Sequence, residues 1–122
     1  MTVVDSSGWL EYFKGGPLAG RYEEYLRAPD LLVPAIVLYE VYKVLRRDRS
    51  EEGALAAAAR LKAAETVPLD ERIALEAADI SLEHGLAMAD AIVYASAQAR
   101  GAVLVTSDRH FEGMDGVEYV AR

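Results

Sequence analysis

The segment Ala102–Thr106 constrains the fold more than any other part of the sequence, because its central residues form a continuous apolar run between two helical patterns. A strand that is apolar throughout is typical of a parallel sheet covered by helices on both faces. Shorter candidate strands lie at 2–4, 31–33, 66–68 and 117–120, separated by helical segments. The sequence therefore predicts an α/β fold with three layers, α/β/α, around a central parallel sheet of four to five short strands.

Length and composition indicate one folded domain spanning residues 1–122, because the chain is long enough for one core and 52% of its residues are hydrophobic. The chain has no cysteine, which excludes disulfides and thiolate metal ligands. No apolar run is long enough to span a membrane and the N-terminus lacks a signal-peptide pattern, so we expect a cytoplasmic protein without a membrane partner. The net charge of −7 disfavours general nucleic-acid binding, but it is compatible with a cation site or a basic partner.

Four carboxylates occupy unusual positions in this pattern. Asp5 and Asp108 follow two of the predicted strands, at the strand ends where open parallel sheets bind ligands. Glu40 shares a helical face with Ile36 and Val44, and Asp90 lies within an otherwise almost entirely apolar segment. A buried charge without a partner is costly, so each of these carboxylates needs a physical explanation.

Each carboxylate has an ordinary structural alternative. Asp5 and Asp90 could cap the N-termini of the helices that follow them. Asp108 could be a first-turn acid behind a Ser107 cap, and Glu40 could pair with the lysine one turn further along its helix. Taken singly, these alternatives are reasonable for the aspartates and less convincing for Glu40, which would have to leave the apolar face.

Taken together, the four carboxylates suggest one shared pocket. Like charges at close range repel and raise one another's pKa values, and a hard divalent cation removes that repulsion. Mg²⁺ and Mn²⁺ prefer oxygen ligands, whereas the lack of cysteine and the presence of only two histidines argue against zinc. An acidic pocket that holds such ions is typical of phosphoryl-transfer enzymes.

Three segments resemble the PIN-domain nucleases, and more narrowly the VapC-type toxins of toxin–antitoxin pairs. They are VVDSSGWLEYF at the start, PAIVLYEV in the middle, and ADAIVYASAQARGAVLVTSDRHF near the end. The last is the most specific, since it combines an Asp that opens an Ala-rich helix, a Gly, an apolar strand and then Thr-x-Asp-x-x-Phe. The resemblance covers essentially the whole chain.

The resemblance implies a Mg²⁺- (or Mn²⁺-) dependent endoribonuclease. The acidic quartet of the family maps onto Asp5, Glu40, Asp90 and Asp108, which would be both the metal ligands and the catalytic residues. We expect Asp5 and Asp90 to bind the main ion, with the other two completing the site. The expected reaction is in-line attack of activated water on an RNA phosphodiester, which leaves a 5′-phosphate and a 3′-hydroxyl.

The same resemblance assigns supporting roles to two hydroxyl groups. Thr106 maps onto the hydroxyl residue before the last acid and would orient a ligand or a water, and Ser7 maps onto a hydrogen-bond donor near the first acid. Arg109 follows Asp108 directly and is a candidate RNA contact. A basic cluster at positions 43–49 is interpreted mainly as solvated dipole partners at a helix end. His110 is interpreted as a surface residue beside a buried Phe111.

Partners are also implied by the resemblance. Family members commonly form homodimers and are bound by a cognate antitoxin laid across the first helices, where Trp9, Tyr12 and Phe13 are core or interface candidates. RNA would be the substrate. Two alternatives have different functions: a PIN-like binding module without catalysis, and a receiver-type phosphoacceptor domain. The receiver pattern is poorly matched, because only one acid follows the first strand and no lysine follows Lys62.

Overall fold

The structure, a computed structural model, describes residues 1–122. Eleven helices and strands and one 3₁₀ turn follow one another along the chain. Their bounds are β1 Thr2–Val4, α1 Ser6–Lys14, α2 Ala19–Leu26, β2 Leu31–Pro34, α3 Ala35–Asp48, α4 Glu51–Lys62, β3 Glu65–Val67, α5 Glu71–His84, α6 Met88–Ala99, β4 Val103–Thr106, the 3₁₀ turn Arg109–Phe111, and β5 Val117–Tyr119. None of the helices is long and apolar enough to cross a membrane.

The five strands form one parallel sheet in the order β3-β2-β1-β4-β5. The sheet is flanked by helices, which confirms the predicted α/β/α fold with its central parallel sheet. Along the chain, β2 and β3 follow β1 on one side of the sheet, and β4 and β5 then lie on the other side of β1. The carboxyl ends of β1 and β4 therefore lie at the point where strand order reverses, which is where open α/β sheets form a ligand crevice.

This strand order contradicts the receiver-type alternative. Receiver domains have the order 2-1-3-4-5, in which the third strand is internal. Here β3 is an edge strand, paired only with β2. Asp70, which follows it, is the N-cap of α5, where its side chain accepts from the Ile73 N–H.

Buried apolar side chains on both faces of the sheet hold the helices in place. Val3 and Val4 of β1 and Leu104 and Val105 of β4 are each at most 1% exposed. Trp9 of α1 is fully buried and stacks on Phe13, with 5.9 Å between ring centroids. The two central strands are therefore buried on both faces along most of their length, as the apolar run predicted, although Val103 at the start of β4 is 44% exposed.

Element boundaries follow the capping chemistry of the sequence in most places. Ser50 accepts from the Gly53 N–H at the start of α4, and Gly85 ends α5 with the left-handed backbone conformation (φ 68°) that glycine adopts without strain. Pro34 is the last residue of β2 and the N-cap residue of α3, because its ψ of 140° is extended.

The close approach of α1 to β1 depends on Gly8. A Cβ at this position would lie 2.6 Å from Cγ1 of Val4 and would overlap the ring of Tyr22. We expect Gly8→Ala to lower the free energy of unfolding by about 1–3 kcal/mol, because neither neighbour can move without opening the core. Gly20→Ala is the matched control, since a Cβ there meets nothing within 4 Å. Urea denaturation of the two variants checks this, and equal stabilities would contradict it.

Candidate metal-binding active site

Asp5 lies where β1 ends and α1 begins, and its side chain is 3% exposed. The pairing of β1 with β4 fixes the position of Asp5, because the Asp5 backbone N–H donates to the Val105 carbonyl at 3.0 Å. Its carboxylate accepts from the Ser6 N–H at 2.8 Å, from the Ser7 hydroxyl at 3.4 Å and from the Thr106 hydroxyl at 3.0 Å. Asp5 is therefore both the N-cap of α1 and a fixed, buried carboxylate at the carboxyl end of β1.

Thr106 joins the two strand-end acids. Its fully buried hydroxyl donates to Asp5 and accepts from the backbone N–H of Asp108 at 2.9 Å. Asp108 in turn accepts from the His110 N–H at 2.9 Å and so caps the 3₁₀ turn. The capping alternative for Asp108 was therefore wrong in detail, because Asp108, rather than Ser107, is the capping residue.

Glu40 reaches the same region from the middle of α3. It is half-buried and close enough to Asp5 for the two negative charges to interact, and its side chain lies near Ser6. The expected alternative pair with Lys43 is absent, because the Lys43 ammonium lies on the ring of Tyr39 and donates to its hydroxyl at 3.3 Å. The apolar pattern of the helix thus directs Glu40 toward the other acids rather than toward solvent.

Asp90 lies in the first turn of α6 and contacts the 3₁₀ turn. Its side chain is 20% exposed, and Oδ2 lies 3.4 Å from Nδ1 of His110. The N-cap alternative for Asp90 was wrong, because α6 begins at Met88 and the N-cap residue is Ala87, which has no capping side chain. The Asp90 carboxylate is therefore not used to cap α6 and lies at the site.

The electrostatics of the site are those of crowded carboxylates. The pKa of Asp5 is raised from 3.8 to about 6, mainly by burial. The charges of Asp90 and Asp108 contribute to the rise, while the hydrogen bonds from Thr106 and from the Ser6 N–H oppose it. Burial and the charge of Asp5 raise the pKa of Glu40 from 4.5 to about 7. The pKa of Asp90 is also raised, by burial and by the charge of Asp108. The acids thus destabilise one another when all are ionised.

The donor set fits a hard divalent cation. It consists of carboxylate oxygens, and neither a lysine nor an arginine forms an ion pair with any of the four acids. The side-chain atoms of Asp90, Asp108 and His110 that are able to bind a metal lie within 4.8 Å of one another. Carboxylate oxygens without an internal cation are suited to Mg²⁺ or Mn²⁺, and of the four acids Asp90 and Asp108 are the two in this close group.

The remaining predicted residues lie at varying distances from this cluster. Ser7 contacts Asp5. The Thr106 hydroxyl is hydrogen-bonded to the side chain of Asp5 and to the backbone of Asp108, so it does not face solvent. Arg109 is exposed and lines a pocket of about 460 Å³ beside Asp108. In the basic cluster, Arg46 pairs with Glu51 and Arg47 pairs with Asp48, and all four of these side chains lie at the far end of α3 or beyond it.

Three residues at the site were missed by the sequence analysis. Ser6 donates its backbone N–H to Asp5, and Tyr22 shares a hydrogen bond with Ser107 next to the crevice. His110 is 72% exposed, as expected of a surface residue, but its imidazole contacts both Asp90 and Asp108. The only sequence signal for His110 was its position two residues after Asp108.

Comparisons with known proteins agree with this geometry. Residues 2–117 match the PIN domain family. A toxin–antitoxin complex from Klebsiella pneumoniae contains a chain of the same fold, with 24% identity, a TM-score of 0.83, and coverage of 97% of this chain and 96% of that one. VapBC from Salmonella typhimurium, solved bound to DNA, has 22% identity, a TM-score of 0.78, and coverage of 99% and 98%.

A third similar structure is VapC20 from Mycobacterium tuberculosis, described as a toxin that cleaves the sarcin–ricin loop. It has 18% identity, a TM-score of 0.77, and coverage of 92% of both chains. No curated protein sequence matches the chain. Since the family match spans nearly all residues, the chain belongs to the PIN domain family.

Removal of the Thr106 hydroxyl should perturb Asp5 directly. We expect Thr106→Val to raise the Asp5 pKa further and to lower the free energy of unfolding by about 1–3 kcal/mol, because a buried N–H and a buried carboxylate each lose a partner. Thr106→Ser keeps the hydroxyl and should leave the Asp5 pKa near its wild-type value. Carboxyl ¹³C titration of the metal-free proteins measures both values. The same Asp5 pKa in all three proteins would contradict the assignment.

The crowded acids should also give metal-free protein an unusual pH dependence. Raised folded-state pKa values mean that the folded protein holds protons more tightly than the unfolded chain, so their contribution to stability is present at low pH and is lost as pH rises through about 6 and about 7. We expect the free energy of unfolding to fall between about pH 4 and about pH 8, with Asp5 contributing about 2–3 kcal/mol.

Denaturation in a chelator across this pH interval measures the effect. The variant Asp5→Asn keeps an oxygen that accepts from the Ser6 N–H, so it should retain the cap while flattening the pH profile. A wild-type stability that stays constant or increases over the interval would contradict the electrostatic description of the site.

Proposed function

We propose that the protein is a metal-dependent endoribonuclease of the VapC toxin type, which hydrolyses RNA phosphodiester bonds and is neutralised by a cognate antitoxin. The observation that carries the proposal is the convergence of four carboxylates where β1 and β4 end. They reach this point from two strand ends and two helices, namely Asp5, Asp108, Glu40 and Asp90. A PIN domain with this acidic set and no internal cation is suited to phosphoryl transfer.

The four carboxylates would hold Mg²⁺ or Mn²⁺, with Asp5 and Asp90 as the main ligands. A bound ion supplies Lewis-acid stabilisation of the charge that develops on phosphate and lowers the pKa of a bound water. Asp5 is kept in place by three hydrogen bonds, so little reorganisation is needed on binding. A water oxygen forms the new bond to phosphorus as the bond to O3′ breaks, which gives a 3′-hydroxyl and a 5′-phosphate.

RNA would approach from the open side of the acidic cluster. Arg109 is exposed next to Asp108 and carries no ion pair, so it is available for a phosphate of the substrate. The basic side chains at the end of α3 are less suited to this role, because Arg46 and Arg47 already pair with acids. Substrate binding would therefore rely on the metal and on a small number of cations, in agreement with the net charge of −7.

An antitoxin partner would be basic where it reaches the carboxylates. One similar structure is a toxin–antitoxin complex and another is VapBC bound to DNA, which supports such a partner here. Tyr12 and Phe13 on α1 are half-buried and remain available for contact, whereas Trp9 is part of the core. A homodimer and a cytoplasmic location belong to the same proposal.

A binding module without catalysis is the second candidate. It would use the same crevice to hold RNA or a cation without hydrolysis. The convergence of the four acids, with the raised pKa values of Asp5, Glu40 and Asp90, favours hydrolysis over this alternative. Measurement of RNA cleavage separates the two candidates.

Neutral substitution of any of the four acids should abolish cleavage without unfolding the protein. Loss of several kcal/mol of transition-state stabilisation corresponds to at least about a 100-fold lower rate. The assay follows a structured RNA mixture with Mg²⁺ or Mn²⁺, and 5′-phosphate ends are detected by ligation. Chelation of the ion should have the same effect as substitution.

Asp79→Asn is a matched control, because Asp79 is an exposed acid on α5 outside the cluster. It should cleave at the wild-type rate. Wild-type protein that binds RNA but never cleaves it in either ion would favour the binding module. Variants that lose activity only because they unfold, as measured by circular dichroism, would support a purely structural role for the acids.

A further inference from the structure

The imidazole of His110 lies against the acidic site although most of its surface faces solvent. Nδ1 is 3.2 Å from Oδ1 of Asp108 and 3.4 Å from Oδ2 of Asp90. The 3₁₀ turn fixes this position, because the His110 N–H is bonded to Asp108 and the next side chain, Phe111, is fully buried. The ring is thus held beside the carboxylates by its own backbone and by a buried neighbour.

The spacing of these atoms suits three ligands of one ion. Adjacent ligands of an octahedral ion at about 2.0–2.1 Å lie about 3 Å from one another. The two nitrogen–oxygen separations are slightly longer than this, and all three atoms lie within 4.8 Å of one another. Small side-chain rotations would bring the nitrogen and both oxygens to a common centre.

We propose that Nδ1 of His110 is a direct ligand of the ion held by Asp90 and Asp108, and that this nitrogen makes the site prefer Mn²⁺ to Mg²⁺. Imidazole nitrogen binds transition-metal ions well, whereas Mg²⁺ strongly favours oxygen ligands and retains its waters. The inference rests on the proposed metal site and goes further, because a four-carboxylate site alone gives no nitrogen ligand.

A different role for the same contact is charge neutralisation alone. In that case His110 would pair with the two carboxylates in the metal-free protein and would be displaced by the ion. The two roles differ in one measurable property, because only a ligand places nitrogen in the first coordination sphere of the bound metal.

The experiment uses the complete chain with Mn²⁺ alone as the probe. Pulsed electron paramagnetic resonance detects ¹⁴N coupling to bound Mn²⁺, and calorimetry gives the dissociation constants for Mn²⁺ and Mg²⁺. The variants are His110→Ala and His84→Ala. The chain has only these two histidines, and His84 lies at the end of α5 next to Glu83 and Tyr94.

We expect ¹⁴N coupling in wild type and in His84→Ala, and its loss in His110→Ala. His110→Ala should weaken Mn²⁺ binding at least about tenfold and Mg²⁺ binding by about twofold or less. Circular dichroism verifies that both variants are folded. His110→Asn, which keeps a polar side chain without the imidazole, should behave like His110→Ala.

Absence of ¹⁴N coupling in wild type, or equal Mn²⁺ affinity in wild type and His110→Ala, would overturn the inference and leave the proposed nuclease untouched. Wild type that binds neither ion would overturn both the inference and the metal dependence. Coupling in wild type together with a lack of RNA cleavage would support the His110 ligand while removing the proposed activity.

Discussion

Pairing of β1 with β4 is the constraint on which the site depends. In this pairing the Asp5 N–H donates a hydrogen bond to the Val105 carbonyl. The Thr106 hydroxyl then lies between the Asp5 carboxylate and the backbone N–H of Asp108. Neither strand could shift by one residue without turning its buried side chains away from the core. The apolar core therefore fixes the position of a buried carboxylate, which would otherwise be among the least stable groups in the protein.

The site combines rigid support with unfavourable electrostatics. Hydrogen bonds and a helix cap hold Asp5, while burial and neighbouring acids raise the pKa values of Asp5, Glu40 and Asp90. Groups with perturbed pKa values that converge in a crevice are typical of functional sites. A Thr or an Asn could cap α1 without this electrostatic cost, which supports the proposed cation site.

The sequence predicted the sheet because Val103, Leu104 and Val105 leave few alternatives to a strand buried on both faces. It predicted Asp5 and Asp108 as neighbours because both follow strands. It did not identify the true start of α6, since Ala87 gives no capping signal and Asp90 does. The contact of His110 with Asp90 also could not be predicted from the sequence, because it depends on how the 3₁₀ turn packs against α6. Single-domain organisation and the roles of the site residues remain predictions.

Thermal unfolding of wild type and Asp5→Asn at about pH 8, each with a chelator and with saturating Mn²⁺, tests whether a divalent cation stabilises the crowded carboxylates. We expect the ion to stabilise wild type, by about 2.7 kcal/mol at 100 times its dissociation constant, and to have little effect on Asp5→Asn. We also expect metal-free Asp5→Asn to be at least as stable as wild type. If Mn²⁺ leaves wild-type stability unchanged and the variant unfolds at a lower temperature in both buffers, the carboxylates do not form a cation site.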